Sequence, residues 1–133
     1  MTSLDSLSKV RVRFAETDKF GYAYHGAYFA WFEVGRTDWL RARGITYIAL
    51  MARDLHLPVV STEARFLRPI GYDDDLRIRT TLARATGVRL VFEYELHRED
   101  DPQILTRART EHASVDASGR PKRFPEDVLR LLK

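Results

Sequence analysis

The chain has 133 residues, of which 44% are apolar and 31% are charged, and its formal net charge is +3. This length fits a single domain over residues 1–133, and the apolar content excludes an intrinsically disordered chain. The absence of cysteine excludes disulfides, thiolate nucleophiles and thiolate metal sites, and it favours a cytoplasmic location.

The first predicted element is a half-buried strand at residues 9–16, where Val10, Val12 and Phe14 form the buried face and Arg11 and Arg13 the other. Residues 1–10 are polar and lack the apolar core of a signal peptide, so export is not expected. No stretch of about 18 uncharged apolar residues occurs in the sequence, and a membrane span is therefore not expected either. Asp18 and Gly21 lie in the loop that follows the strand.

A long helix is predicted from Gly26 to Arg43. The segment is rich in helix formers and aromatics and has no proline, and Gly44 follows it as a residue that can end a helix in the left-handed conformation. Residues 27–34 are apolar on nearly all sides, unlike a surface helix with one apolar stripe. Each large side chain buried there contributes about 1.5–3 kcal/mol, so we expect a sheet to wrap around this helix.

The remaining sequence predicts a sheet. A short amphipathic piece near residues 47–52 comes first, and a short helix at 126–132 ends the chain. Between them the period-two patterning predicts four extended segments, at residues 57–67, 76–82, 88–96 and 104–115. The short breaks between these segments indicate antiparallel neighbours. One strand, one long helix and four strands form an α+β layout in which a sheet covers a buried helix, the outline of a hotdog fold.

One long segment carries a recognisable pattern. From Val12 to Arg41 the sequence reads VRFAETDKFGYAYHGAYFAWFEVGRTDWLR. It combines E-T-D at the end of a strand, a glycine three residues after the aspartate, Y-H at the turn into the helix, and Y-x-x-W-F-E-x-x-R on the helix. This pattern resembles the 4-hydroxybenzoyl-CoA thioesterase family, especially its acyl-CoA branch associated with the Tol-Pal cell-envelope system. Weaker resemblance continues through PVVSTEARFLRPIGYDDDLRIRT and GRPKRFPEDVL.

The resemblance implies a hotdog thioesterase that hydrolyses an aromatic, short-chain or long-chain acyl-CoA without a cofactor. It also implies a homodimer, often doubled into a homotetramer, with active sites at the dimer interface. The family's catalytic aspartate maps onto Asp18. The backbone N–H that polarises the thioester carbonyl maps onto His25.

The residues themselves suit this chemistry, because thioester hydrolysis needs a carboxylate and donors aimed at the carbonyl oxygen. No Ser, Thr, Asp or Asn lies between Tyr22 and Gly26 to cap the helix, so its first N–H groups should be free for a ligand. Asp18 has an alternative role as a turn residue that bonds nearby backbone. The imidazole of His25 has an alternative role in local hydrogen bonding, and the sequence leaves open whether Asp18 is a nucleophile or a general base.

Several residues are candidate substrate contacts. Arg84 and Arg89 flank the turn at residues 86–87, where the resemblance places basic phosphate contacts, although solvated strand-end charges are the alternative. Glu33 and Arg36 are three apart on the helix, which fits an internal ion pair as well as substrate contact. The other candidates lie around the helix start and are Gly21, Tyr24, Gly26, Tyr28 and Phe32.

Other chemistries are disfavoured. Glu16 and Glu63 do not lie on the central helix, where another thioesterase family of this fold carries its glutamate. The four histidines are widely separated and form no H-E-x-x-H pattern, so no metal site is expected. The arginines accompany no recognition motif, so nucleic-acid binding is not expected. The alternatives that stay open are a hotdog dehydratase acting on an acyl thioester and a non-catalytic acyl-CoA sensor or envelope scaffold.

Overall fold

The computed structural model describes residues 5–133 as one antiparallel sheet around a central helix. The strands are β1 (Asp5–Arg11), β2 (Val59–Phe66), β3 (Asp75–Ala85), β4 (Arg89–Arg98) and β5 (Asp101–Ala113). The helices are α1 (His25–Ala42), α2 (Tyr47–Ala52) and α3 (Glu126–Leu132), and a 3₁₀ turn spans Phe14–Glu16. This architecture confirms the predicted α+β hotdog fold. In residues 5–133 no helix is both long and apolar enough to cross a membrane.

The strand order is β1-β3-β4-β5-β2, with every neighbouring pair antiparallel. The expectation that all consecutive strands are neighbours is wrong for β2 and β3. The chain between them leaves the sheet and pairs with the loop before α1, since Tyr22 forms a bridge with Gly71 and Ala23 N–H donates to Ile70 O at 2.8 Å. This crossover puts β2 at one edge of the sheet and brings residues 66–70 close to the start of α1.

The core lies between α1 and the inner face of the sheet. Phe32 stacks on Tyr94 with ring centroids 4.8 Å apart, and Trp39 meets Phe92 edge to face at 5.6 Å. A Cβ on Gly35 would collide with the side chain of Thr80, so this glycine allows the helix to approach β3 closely. The even-numbered positions of β3 that face this core are Leu76, Ile78, Thr80 and Leu82.

The structure corrects two predicted features near the start of the chain. The first strand ends at Arg11 instead of continuing to Glu16, and Phe14 is 76% exposed although it was assigned to the buried face. The backbone leaves the strand because Glu16 turns inward and accepts a hydrogen bond from Arg13 N–H.

The helix α1 begins and ends within one residue of prediction, and Gly44 adopts the expected positive φ of 82°.

The sheet covers only one side of α1. Tyr28, Trp31 and Phe32 are buried against it, but Phe29 and Val34 remain 40% and 36% exposed. The expectation that the sheet would bury the whole apolar helix is therefore wrong for a single chain, because the side of α1 that faces away from the sheet stays exposed.

Candidate active site

Asp18 sits at the head of a tight turn between the 3₁₀ turn and α1. Its backbone N–H donates to Tyr22 O at 2.7 Å, and its carbonyl accepts from Gly21 N–H at 3.1 Å. Gly21 has a φ of 85°, which suits glycine because it lacks a Cβ. The Oδ1 atom of Asp18 accepts from the N–H groups of Phe20 at 2.8 Å and Tyr22 at 3.3 Å. Within residues 5–133 the Oδ2 atom has no hydrogen-bond partner, so one oxygen of this exposed carboxylate is anchored and the other is available.

The Asp18 turn is fastened directly to the start of α1. Thr17 and Ala23 form an antiparallel bridge, and Tyr24 N–H donates to Glu16 O at 3.1 Å. These contacts close the turn against the residue that precedes the helix. As a result, the aspartate and the first helical residues belong to one rigid unit.

Glu16 anchors this unit from inside the protein. Its carboxylate accepts from Arg13 N–H at 2.8 Å and from the indole Nε1–H of Trp31 at 3.1 Å, and it contacts the Arg13 guanidinium at 3.3 Å. Burial alone would raise the pKa of Glu16, but the hydrogen bonds from Arg13 and Trp31 outweigh it and hold the pKa below its usual value. Both oxygens of Glu16 are thus engaged in structure, which leaves Asp18 as the accessible carboxylate of the turn.

The helix start presents free donors beside the Asp18 turn. Tyr24 precedes the helix without a side-chain cap, and Ala27 N–H donates to its carbonyl at 3.0 Å. In the part of the chain that the structure describes, the backbone N–H groups of His25 and Gly26 have no acceptor. A Cβ on Gly26 would lie 2.6 Å from the Tyr24 ring, so glycine lets that ring pack over the helix end. Free N–H groups at the positive end of a helix suit an oxyanion.

A groove of about 420 Å³ opens next to these donors. The volume falls within the range of small-molecule sites. Tyr28 forms part of its floor and packs against Phe66 at 4.7 Å and Trp31 at 4.9 Å, and burial raises the pKa of the Tyr28 hydroxyl. The groove is lined by Tyr22, Ala23, His25, Tyr28, Phe66, Leu67, Arg68, Pro69 and Ile70.

Some predicted substrate contacts do not lie at this groove. Phe32 is fully buried in the core against Tyr94. Arg84 lies at the other end of β3, roughly 30 Å from the Asp75 end near the Asp18 turn, at about 3.3 Å per residue. Arg89 also lies at that far end, where it pairs with Glu111 at 3.1 Å. A single chain therefore does not bring either arginine to the groove.

The ion pair that the helical spacing allowed between Glu33 and Arg36, as the alternative to substrate contact, is absent among the ion pairs of residues 5–133. Glu33 is exposed, whereas Arg36 turns inward next to the hydroxyl groups of Tyr47 and Tyr94. Burial lowers the pKa of Arg36, but these two tyrosines more than offset the effect and the pKa is raised. The helical spacing was suitable, but the arginine side chain packs into the protein instead of along the helix surface.

The sequence interpretation missed the second wall of the groove, formed by residues 66–70. One signal was present, because Pro69 marks an extended backbone at Arg68 just after a predicted strand. Extended backbone alone does not reveal which part of the fold lies beside it. The crossover between β2 and β3 supplies this wall, and its position depends on a strand order that the pattern did not predict.

A second aspartate turn in the protein repeats the geometry of the Asp18 turn. Asp116 Oδ1 accepts from Ser118 N–H at 2.8 Å and Arg120 N–H at 3.1 Å, and its carbonyl accepts from Gly119 N–H at 2.9 Å. Gly119 has a φ of 85°, equal to that of the glycine in the Asp18 turn. The Asp116 turn is closed by a bridge between Val115 and Pro121, and the next helix, α3, does not begin until Glu126. Placement, and not turn geometry, therefore distinguishes Asp18.

Comparison with known proteins identifies what this arrangement is similar to. Residues 12–132 match the profile of the thioesterase-like superfamily. The chain is 30% identical over 125 residues to the acyl-CoA thioester hydrolase YbgC of Escherichia coli O157:H7, covering 93% of this chain and 92% of that protein. It is 32% identical over 121 residues to the acyl-CoA thioesterase YbgC of Haemophilus influenzae, covering 90% and 88%. The crystal structure of a DHNA-CoA thioesterase from Staphylococcus aureus superposes with a TM-score of 0.91 at 27% identity, covering 96% of this chain and 87% of that one.

Proposed function

The chain belongs to the thioesterase-like superfamily and is an acyl-CoA thioester hydrolase, and we propose that Asp18 is its catalytic carboxylate. One observation supports this role above the others. The Asp18 carboxylate is held by one oxygen in a turn that is fastened to an uncapped helix start, beside an apolar groove. This arrangement places a base or nucleophile next to donors for a developing negative charge.

The free N–H groups of His25 and Gly26 are the proposed donors to the thioester carbonyl. As the carbonyl carbon becomes tetrahedral, its oxygen gains negative charge, and preorganised N–H donors stabilise that charge more than they stabilise the substrate. The positive end of the α1 dipole adds to this effect. The imidazole of His25 lines the groove but is not required for this step.

Two routes are compatible with the geometry. In the first, Asp18 removes a proton from water, the water oxygen attacks the carbonyl carbon, and the C–S bond breaks to release the acid and the CoA thiolate. In the second, an Asp18 oxygen attacks the carbonyl carbon and expels the thiolate, and water then hydrolyses the resulting anhydride. Both routes consume one water and need no cofactor.

The acyl group is proposed to occupy the apolar groove over Tyr28. Gly21 shapes the turn that carries Asp18, and the Tyr24 ring covers the helix start next to Gly26. Phe32 supports the groove from the core instead of lining it. A cytoplasmic location is part of the proposal, since the chain has no cysteine and its substrate is an intracellular thioester.

A homodimer is proposed to complete the site. Among the strands of residues 5–133, β2 pairs only with β5, and Val60 at its open edge is 48% exposed, so this strand offers unpaired backbone groups to a second copy. Two β2 edges paired antiparallel would place the far end of one sheet near the groove of the other. This pairing would bring Arg84 and Arg89 of one subunit toward the CoA phosphates bound at the other. A homotetramer would consist of two such dimers.

The catalytic proposal is tested by thiol release from a panel of short-chain, long-chain and aromatic acyl-CoA substrates. Asp18→Asn keeps the turn acceptor but removes the charge, and we expect kcat/KM to fall about a hundredfold to ten-thousandfold. Asp116→Asn is the matched control, because it makes the same change in the same turn geometry away from the groove. Equal activity of the two variants would show that Asp18 is only a turn residue. Release of a hydrated or dehydrated thioester instead of free thiol would favour the dehydratase alternative.

The dimer proposal is tested by sedimentation velocity at micromolar concentration. Val60→Lys places a charge on the open edge of β2 and should shift the protein toward monomer. Leu131→Lys, on the exposed side of α3, is the control for adding a lysine at an apolar surface position. A native protein that sediments as a monomer would contradict the proposal.

A further inference from the structure

One cation lies in the groove without a structural role. Arg68 follows β2, and its backbone N–H donates to Leu105 O at 3.0 Å as the chain leaves the sheet. Arg68 is an exposed residue that lines the groove together with His25. Among residues 5–133, no carboxylate or carbonyl accepts a hydrogen bond from its guanidinium.

Two carboxylates at this end of the fold, Asp74 and Glu16, already accept hydrogen bonds from other residues. Asp74 accepts from Gly71 N–H at 2.9 Å and from the Arg98 guanidinium at 2.9 Å. Glu16 is engaged by Arg13 and Trp31. Among residues 5–133 Arg68 forms no ion pair, whereas Arg77 and Arg98 at this end of the sheet each pair with an aspartate.

Most other residues that line the groove are apolar, so Arg68 is the residue there that carries a permanent positive charge. Guanidinium groups bind phosphate and carboxylate oxygens through two parallel hydrogen bonds. Such bonds are stronger at the edge of an apolar groove than in open water, because nearby protein lowers the local dielectric constant. The cation also forms no ion pair with Asp18, which stays unneutralised.

We propose that Arg68 is a substrate-binding residue that recognises an oxyanion of the thioester substrate, either a CoA phosphate or a carboxylate on the acyl group. This inference rests on the proposed function, since it assigns the groove to the substrate. It adds a specificity-determining contact in the same chain as Asp18, separate from the contacts proposed for Arg84 and Arg89 across a dimer.

The kinetic test uses four substrates: a neutral and a carboxylated acyl group, each carried on CoA and on pantetheine, which lacks the phosphates. If Arg68 binds phosphate, Arg68→Gln lowers kcat/KM about tenfold to a hundredfold for both CoA thioesters and leaves both pantetheine thioesters unchanged. If it binds the acyl carboxylate, the loss follows the carboxylated acyl group on either carrier. Arg65→Gln is the control, since Arg65 lies one position before Phe66 in β2, in register with Arg107 and outside the groove lining, and should change none of the four rates.

A binding measurement keeps this inference separate from the catalytic one. Calorimetry with Asp18→Asn protein measures affinity for the same thioesters without turnover, and adding Arg68→Gln should weaken binding of the oxyanion-bearing substrate by the same factor. If Asp18→Asn keeps the native rate while binding still depends on Arg68, the role of Arg68 is supported and the catalytic role of Asp18 is refuted. Unchanged affinity and unchanged rates for all four substrates, or an equal loss for all four, would overturn the assignment of Arg68.

Discussion

Acid should destabilise this protein through one buried histidine. His112 is 1% exposed, its Nδ1 lies 3.1 Å from Leu57 O, and its Nε2 lies 2.9 Å from Thr110 Oγ1. Because a carbonyl only accepts, Nδ1 carries the proton and Nε2 accepts from the threonine hydroxyl. Burial lowers the pKa of His112 to about 4, the positive charge of Arg36 adds to the shift, and the bond to Leu57 O opposes it.

The size of the effect follows from the two ends of the titration. The unfolded chain takes up a proton at this histidine as the pH falls through about 6.5, whereas the folded protein stays neutral there until about 4. Between these values the unfolded state binds more protons, so the free energy of unfolding falls as the pH falls. At 1.36 kcal/mol per pH unit, the loss from His112 amounts to about 3 kcal/mol.

The measurement is urea unfolding at fixed protein concentration, from pH 7.5 to 4, for the native protein and His112→Asn. Other groups titrate in both proteins, so the difference between the two curves isolates His112. We expect the native protein to lose about 3 kcal/mol more than the variant between pH 6.5 and 4. His25→Asn, which removes an exposed histidine, should follow the native curve. Parallel curves for the native protein and His112→Asn would refute the reasoning.

Three further substitutions test the packing that positions the site. Gly35→Ala should lower the free energy of unfolding by about 1–3 kcal/mol, because the new methyl collides with Thr80, and a thermal melt measures the loss. Phe32→Ala should cost about 3–5 kcal/mol in a urea titration, because the ring is fully buried against Tyr94. Glu16→Gln should cost about 1–3 kcal/mol, because Trp31 and Arg13 lose a charged acceptor, and tryptophan fluorescence during unfolding reports the change directly.

Much of the secondary structure was predictable because strand alternation and helix ends depend on residues close together in the sequence. The alternation along β3 and β4 reflects a sheet with one buried face, and the positive φ of Gly44 marks the helix end. The position of β2 was not predictable in the same way. It depends on the crossover pairing with the loop before α1, a contact between segments roughly 50 residues apart whose residue types do not show it.

The apolar surroundings of α1 show a second limit. An apolar stretch predicts burial but not what buries it, and here the sheet covers Trp31 and Phe32 while Phe29 and Val34 stay on the surface of the chain. The same limit applies to Arg84 and Arg89, whose proposed function depends on a second subunit. Residue patterns along one chain do not encode which surfaces meet between two chains.

The candidate site shows why turn chemistry alone was insufficient. Asp18 and Asp116 head turns with the same hydrogen bonds and the same glycine conformation, so any physical argument from local spacing assigns them the same role. What separates them is three-dimensional: one turn closes against a helix start with free N–H groups and an apolar groove that also contains Arg68. The resemblance to a known family pointed to the Asp18 turn, and the structure shows a physical difference between the two turns. We expect Asp18→Asn to lose activity and Asp116→Asn to keep it, with both variants equally stable. That result would show that the placement of the Asp18 carboxylate, and not its turn geometry, gives it a catalytic role.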